Sequence, residues 1–511
     1  MACSRLPGHN AGQHSARLGL VPIQMSTSNS IRSGIKWLVT GSLGGQVLQF
    51  AFGIVLARLL VPEDFGFIVT IQIFTGFVGL ISGGGMGQAL VQSRDAQARD
   101  FDVVFTAQLL IGLLIFAGFY VAAPWFAHTF GDALYADLVR VSAISFLLRP
   151  FVNTRASALH RDMRFKERSV IGLAVAVLTG LASIALAVVG AGPWSLILSG
   201  ILGSLITLAM LDRVSDRRPQ LCLDLEVARR FGAYGVKVSL NDLAAYFTKQ
   251  ASNAIISRVA GPSAVGLFNK GESLAWLPFS TVSAAVYDAV FRAMAKAQDR
   301  PDEVKYLFYR MIGLMVVYTL PIYIGLAWMA EPFMLFVYGA KWVPSADPLR
   351  IVSLAGLLIC IGHPCGAVLA AMNRLGREVW IHIAQGVLVS VACYYGLKHS
   401  GISGAAWGVF AGIAFSTPVM YYLATRCFPS RLGDLWRALA PGLGLNLILL
   451  AVLALADAAL PADWREIRPA LYMLVTGGSA AIAYAAAFLF LPLATLADES
   501  LRWRRTLRLA R

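Results

Sequence analysis

Charged and amide side chains inside long apolar stretches are the residues here whose types and spacing could do chemistry. Asp242, Tyr246, Lys249 and Asn253 stand four, three and four residues apart. That spacing puts all four on one face of a helix. Two hundred residues earlier the same positions are Ser42, Gln46, Gln49 and Gly53, polar or small but neutral. Two readings of these faces stand. One is the wall of a water-filled cavity between two halves of the chain. The other is a hydrogen-bonded seam between helices, in which Asp242 and Lys249 neutralise each other. The presence of the face in both halves favours the cavity. A second group is Arg149-Pro150, Asn153 and Arg155, with Asn153 on the face of Arg149 at i+4. An arginine at mid-membrane depth needs an anion. No Asp or Glu falls deep inside the first six apolar stretches, since Glu63 and Asp64 lie in a connection. An anionic substrate and a carboxylate from the second half (Asp242, Glu272 or Asp288) both remain open as its partner. No metal-binding cluster and no nucleophile beside a base stands out, so nothing points to catalysis, a metal or a cofactor.

The elements that must position these residues are membrane helices. The chain has 511 residues, 57% hydrophobic and only 14% charged. Apolar runs of about 20 residues, the length that spans a bilayer, recur along it. This reads as an all-α polytopic membrane protein with fourteen spans, at roughly 36–60, 65–89, 104–127, 137–158, 169–190, 193–212, 236–260, 265–291, 311–337, 348–371, 379–397, 402–424, 437–458 and 469–493. The even-numbered connections and the two tails hold 31 of the 43 Lys and Arg. By the positive-inside rule both termini are cytoplasmic. The net charge of +15 is then a matter of topology, and a nucleic-acid partner drops out. The six cysteines show neither metal spacing nor a disulfide framework, and Cys360 and Cys365 read as packing residues.

Residues 1–33 read as a disordered cytoplasmic tail without the apolar core of a signal peptide, with Met25 a plausible start. An N-terminal lobe follows over 34–212, then a basic linker over 213–234 whose Glu226–Phe231 stretch reads as a short amphipathic helix on the membrane surface. A second lobe covers 235–424, two further spans 425–495, and a basic tail 496–511. The lobes look duplicated. Arg58, Pro62 and Gly66 recur as Arg258, Pro262 and Gly266; Gly34-Ile-Lys36 answers Gly235-Val-Lys237; and Gly190-Ala-Gly192-Pro-Trp194 resembles Gly401-Ile-Ser-Gly404-Ala-Ala-Trp407. Three matches in one order mark an internal repeat. Six spans separate the copies, so the repeats are parallel. Arg58 and Arg258 read as snorkelling or capping residues, Pro62 and Pro262 as helix starters. Lys270 and Glu272 read as interfacial, Ile255 and Ile256 as facing lipid.

The stretch Leu56-Ala-Arg58-Leu-Leu-Val-Pro62-Glu-Asp-Phe-Gly66, followed by Gly85-Met-Gly-Gln-Ala-Leu-Val-Gln92, resembles the opening signature of polysaccharide-transport flippases of the Wzx type. Arg161-Asp-Met-Arg164-Phe165, Gly192-Pro-Trp194 and Gly339-Ala-Lys-Trp342 fit the same pattern. The resemblance covers about 30–495. It is to the colanic-acid and teichuronic-acid branch of the multidrug/oligosaccharidyl-lipid/polysaccharide exporter superfamily. Arg292 departs from it, standing where proline is expected. The resemblance implies two six-helix lobes around a central cavity, plus two extra helices. It implies movement of undecaprenyl-diphosphate-linked oligosaccharides across the bacterial inner membrane, and a polysaccharide polymerase or co-polymerase as a partner. A cation-coupled drug exporter of the same superfamily is the alternative. The lack of deep carboxylates in the first lobe and the presence of Arg149 favour an anionic substrate.

Overall fold

The computed structural model describes residues 24–80, 86–87, 90, 93, 97–215, 219–280, 284–372, 374–491 and 496–507. The described residues are overwhelmingly α-helical, in two compact units. One comprises Met1–Leu60 with Ile71–Leu243, the other Val61–Thr70 with Ala244–Arg511.

The first unit is built on α1 (Gln24–Leu59), the later part of α2 (Pro62–Gly79, whose residues up to Thr70 belong to the second unit), α3 (Ala98–Phe130), α4 (Leu134–Arg161), α5 (Phe165–Val188), α6 (Trp194–Val214) and the first part of α7 (Leu225–Pro278). Small residues set its helix spacing, as expected where lipid offers no hydrophobic drive and close backbone approach holds helices together. A Cβ on Gly41 would meet Ser169 at 2.7 Å, one on Gly180 would meet the Phe52 ring at 2.3 Å, and one on Gly203 would meet Thr179 at 2.5 Å. These contacts lay α1 on α5 and α5 on α6. The helix from Gln24 onward replaces the last ten residues of the expected disordered tail. The linker is not a separate surface helix. Its backbone is tied down, with Gln220 N donating to Asp102 and Cys222 N to Thr106 Oγ1, and Arg99 pairs with Asp224 at 2.8 Å. Phe231 then enters a core with Leu90, Phe101 and Val104, so Glu226–Phe231 is the first part of α7.

The second unit holds the rest of α7, which breaks at Gly261 with φ 82°. Glycine supplies that conformation at no steric cost. α8 (Ala284–Lys296), α9 (Pro301–Tyr318), α10 (Leu320–Trp328), α11 (Ala330–Tyr338), a 3-10 turn (Ala340–Ser345), α12 (Ala346–Leu354) and α13 (Gly356–Ala371) follow. Arg292 lies inside α8, where the expected proline would have removed a backbone donor. α14 (Leu375–Thr425) is broken at Ser400–Gly401. Gly401 and its repeat counterpart Gly190 both have positive φ, 60° and 80°. α15 (Leu432–Ala459), α16 (Trp464–Ile467), α17 (Pro469–Phe490) and α18 (Ala497–Thr506) complete the unit.

The two extra helices α15 and α17 are held by polar bonds at the α9–α10 break. Pro321 has no N–H, so the Val317 carbonyl loses its helical partner. Tyr484 Oη donates to it at 2.6 Å, and Asn446 Nδ2 donates to the neighbouring Val316 carbonyl at 3.1 Å. By length and composition eight described helices can cross a membrane, or nine with the bent pair Ala340–Leu354 and Gly356–Ala371 counted as one span. The count of fourteen is not reached on that measure. Cys360 and Cys365 are fully buried free thiols, as packing residues should be.

Candidate functional site

In the first unit the site is built around Arg149. Pro150 removes one backbone N–H from α4 and leaves the Phe146 carbonyl without its helical donor. α3 approaches there through Gly112, on which a Cβ would stand 2.5 Å from that carbonyl. The Phe119 and Phe146 rings stack beside it at 5.7 Å. The Arg149 guanidinium lies over the Phe146 ring at 4.8 Å and fills the space left by Gly79 of α2, where a Cβ would sit 2.2 Å from Nη1. Among the described residues no carboxylate pairs with it. Asn153 is half-buried one turn further along α4.

Arg155 is different. It is 8% exposed, and its guanidinium donates to Asp212 at 3.1 Å and to the Phe151 carbonyl at 3.3 Å. The sequence reading placed no carboxylate deep in the first six spans. Asp212, at the last turn of α6, is one within reach, because Arg155 extends toward that end of its helix. Arg155 therefore ties α4 to α6, and this corrects its place among the cavity candidates. Gln46 and Gln49 are exposed on α1, on a different face from the Gly41, Gly44 and Phe52 contacts with α5.

In the second unit the expected single polar face divides. Lys249 is exposed and Tyr246 half-buried, its hydroxyl accepting from Gln250 at 3.3 Å. Asn253 is 2% exposed, which corrects its assignment to a cavity wall. Its Nδ2 donates to Gln250 at 3.0 Å and Glu272 at 3.4 Å, and its Oδ1 accepts from Asn269 at 3.4 Å. These bonds make a hydrogen-bonded seam at that depth, formed by Gln250, Asn253, Asn269 and Glu272. Glu272, expected at the interface, is 7% exposed and is the buried acceptor of the seam. It was missed because its chemistry lies in the partner across Gly261, invisible to a single-helix pattern. Ile256 is fully buried instead of facing lipid. The side chains of Asp242 and Asp288, and Gly85 of the second signature stretch, lie outside the described residues.

The repeat motifs meet. A Cβ on Gly66 would stand 1.7 Å from the Pro262 carbonyl oxygen, and one on Gly266 would stand 1.9 Å from the Pro62 oxygen. The contact is reciprocal, as a duplicated element packed on its copy requires. Thr70 and Ser257 hydroxyls are 2.5 Å apart beside it. Lys270, also expected at the interface, has its ammonium over the rings of Phe65, Tyr338 and Trp342 at 4.8, 4.6 and 5.2 Å. Trp342 is fully buried and meets Phe65 edge-on at 5.2 Å. Two separated signature stretches thus close on one cation. Arg58 and Arg258 are exposed.

Residues 55–347, more than half of the chain, match the family described as polysaccharide biosynthesis protein. The chain belongs to this family. It is 25% identical over 373 residues to the succinoglycan biosynthesis transport protein ExoT of Rhizobium meliloti (strain 1021), covering 72% of this chain and 75% of that one. It is 21% identical over 408 residues to the lipopolysaccharide biosynthesis protein WzxC of Escherichia coli (strain K12), covering 78% and 82%. The fold is similar to a solved structure of the lipid II flippase MurJ in an inward closed conformation. The TM-score is 0.71 at 14% identity, over 88% of this chain and 98% of that one. The resemblance to Wzx-type flippases read from the motifs is thereby supported from outside the motifs themselves.

Proposed function

We propose that this member of the polysaccharide biosynthesis protein family is a flippase. It moves oligosaccharide repeat units, carried on undecaprenyl diphosphate, from the cytoplasmic to the periplasmic leaflet of the bacterial inner membrane by alternating access. It is a transporter, with no catalytic residues. A sugar-diphosphate head cannot cross about 30 Å of hydrocarbon unaided, because each buried charge and unpaired hydroxyl costs several kcal/mol. The observation that carries the reading is Arg149, a half-buried guanidinium in a space kept by Gly79, with no carboxylate on it among the described residues. Its planar fork suits a diphosphate. Exposed Gln46 and Gln49 and half-buried Asn153, in the same unit as Arg149, offer further donors and acceptors for sugar and phosphate. A polysaccharide polymerase would take up the product.

The test is a substitution series scored by surface polysaccharide in cells. Arg149→Lys keeps the charge and loses the fork; Arg149→Ala loses both. Transport is expected to fall in the order wild type, Lys, Ala, with protein levels unchanged. If Arg149 serves only to neutralise Asp242, Ala will lower the protein level and adding Asp242→Asn will restore both level and transport. That rescue would refute the diphosphate role.

A further inference from the structure

A cavity of about 500 Å³ opens between α9 and α15 in the second unit, on elements that carry none of the candidate residues above. One end is lined by charge: Lys305 and Arg310 on α9, Asp434 and Arg437 on α15, with Asp302 at the rim. The other end is apolar, lined by Leu314, Val317, Pro441 and Leu496. Lys305 to Val317 is twelve residues, about 18 Å of helix. Charge and hydrocarbon are therefore separated along the axis as they are in a bilayer leaflet. The spans read from the sequence begin at 311 and 437, so Arg310 and Arg437 stand at headgroup level and Leu314, Val317 and Pro441 stand inside the hydrocarbon.

The cations are arranged so that donors are left over. Lys305 is held by Asp434 at 2.7 Å and Arg310 by Glu499 at 2.8 Å, while Arg437 has no ion pair among the described residues. An ammonium has three donors and a guanidinium five, so the held Lys305 and the unpaired Arg437 both have donors to offer. Of the two lining carboxylates, Asp434 is taken up by Lys305, which leaves Asp302 to oppose an anion. α18 closes the site from the side: Glu499 reaches Arg310, and Trp503 Nε1 donates to Tyr318 Oη at 2.9 Å. Tryptophan at this level is what a membrane interface selects.

We propose that this cavity binds an anionic glycerophospholipid of the leaflet on that face. Arg437, Arg310 and Lys305 hold its phosphate, and one acyl chain runs along Leu314, Val317 and Pro441. The volume takes a glycerophosphate head and the upper part of a chain, and leaves no room for an oligosaccharide in addition. The site is thus distinct from the transport path, and it stands whether or not the Arg149 reading does.

The test uses the full-length protein, delipidated in detergent, with bound lipid counted by native mass spectrometry. Phosphatidylglycerol should bind and raise the melting temperature, and zwitterionic phosphatidylcholine should bind more weakly. Arg437→Gln should weaken phosphatidylglycerol binding about fivefold, the effect of one basic residue near a membrane surface. Arg437→Lys should restore most of it. Ala438→Phe, which fills the cavity, should also abolish it; melting without lipid checks that this variant folds. Arg437 is exposed, so its variants carry the test where Ala438→Phe does not fold. Equal binding of the two phospholipids, unaffected by Arg437→Gln, would overturn the proposal. Displacement by equimolar undecaprenyl phosphate would assign the site to the polyprenyl carrier instead. The same stabilisation by inorganic phosphate alone would reduce it to an anion site without a lipid.

Discussion

Arg149 and Arg155 show how two like residues six positions apart come to differ. Both are arginines on α4, and both need an anion in a low-dielectric setting. Arg155 has Asp212 at 3.1 Å and is committed to holding α4 to α6. Arg149 lies over Phe146 and against Gly79, which lacks the side chain that would displace it. Gly79→Ala is therefore expected to act through Arg149. A methyl placed 2.2 Å from Nη1 must push the guanidinium aside. Polysaccharide export should fall several-fold, toward the level of Arg149→Lys, with the protein still at normal abundance, both read from the same cells. If export is unchanged in Gly79→Ala, the position of the guanidinium does not matter. The sequence alone marked Arg149, because an intramembrane charge is legible without neighbours. It could not separate it from Arg155, because Asp212 lies 57 residues away from Arg155 and only the packing of α4 on α6 brings the two together.

At the scale of elements, the repeat is more than a record of descent. Gly66 and Gly266 are required because each lies against the backbone of the other copy's proline. Backbone cannot give way as the end of a flexible side chain can, so Gly66→Ala must push the starts of the paired helices away from each other. It should cost about 1–3 kcal/mol, as overpacking usually does. Gly53→Ala on α1, with open space around it, should be close to neutral. The pair is compared by melting temperature in detergent. Equal effects would mean that the reciprocal contact is not maintained in solution. The 200-residue spacing disclosed the recurrence of these residues but not their contact. The span boundary at 260–265 was legible too, and the structure puts the break there, at Gly261; the fold-back that sets Asn253 against Glu272 across it was not. A helical wheel drawn through a single span places Asn253 with Lys249; the neighbouring span decides that one is buried and the other exposed. The α9–α10 break is similar: Pro321 was visible, but the two distant side chains that satisfy its freed carbonyl and its neighbour, Tyr484 and Asn446, were not.

At the scale of the whole molecule, composition gives the membrane class, and the charge pattern carries a prediction of the orientation. The 31 Lys and Arg on one set of connections predict that both ends are cytoplasmic. A reporter fused after Arg511 should be active only if it works in the cytoplasm; alkaline phosphatase activity there would contradict the orientation. The number of spans is harder to count by helix, because α7 and α14 each run past 50 residues through a glycine break at which the sequence divides two spans. Family membership ties the chain to polysaccharide biosynthesis, and the Arg149 site is the physical ground on which we propose an anionic lipid-linked glycan as the cargo. The most direct test follows the cargo itself. In cells lacking this gene and any related flippase, lipid-linked repeat units should accumulate on the cytoplasmic leaflet, out of reach of membrane-impermeant reagents added to spheroplasts, while surface polymer stops. The wild-type gene should restore both, and Arg149→Ala neither. Normal polymer and repeat units still accessible from outside in the deleted strain would contradict the flippase assignment.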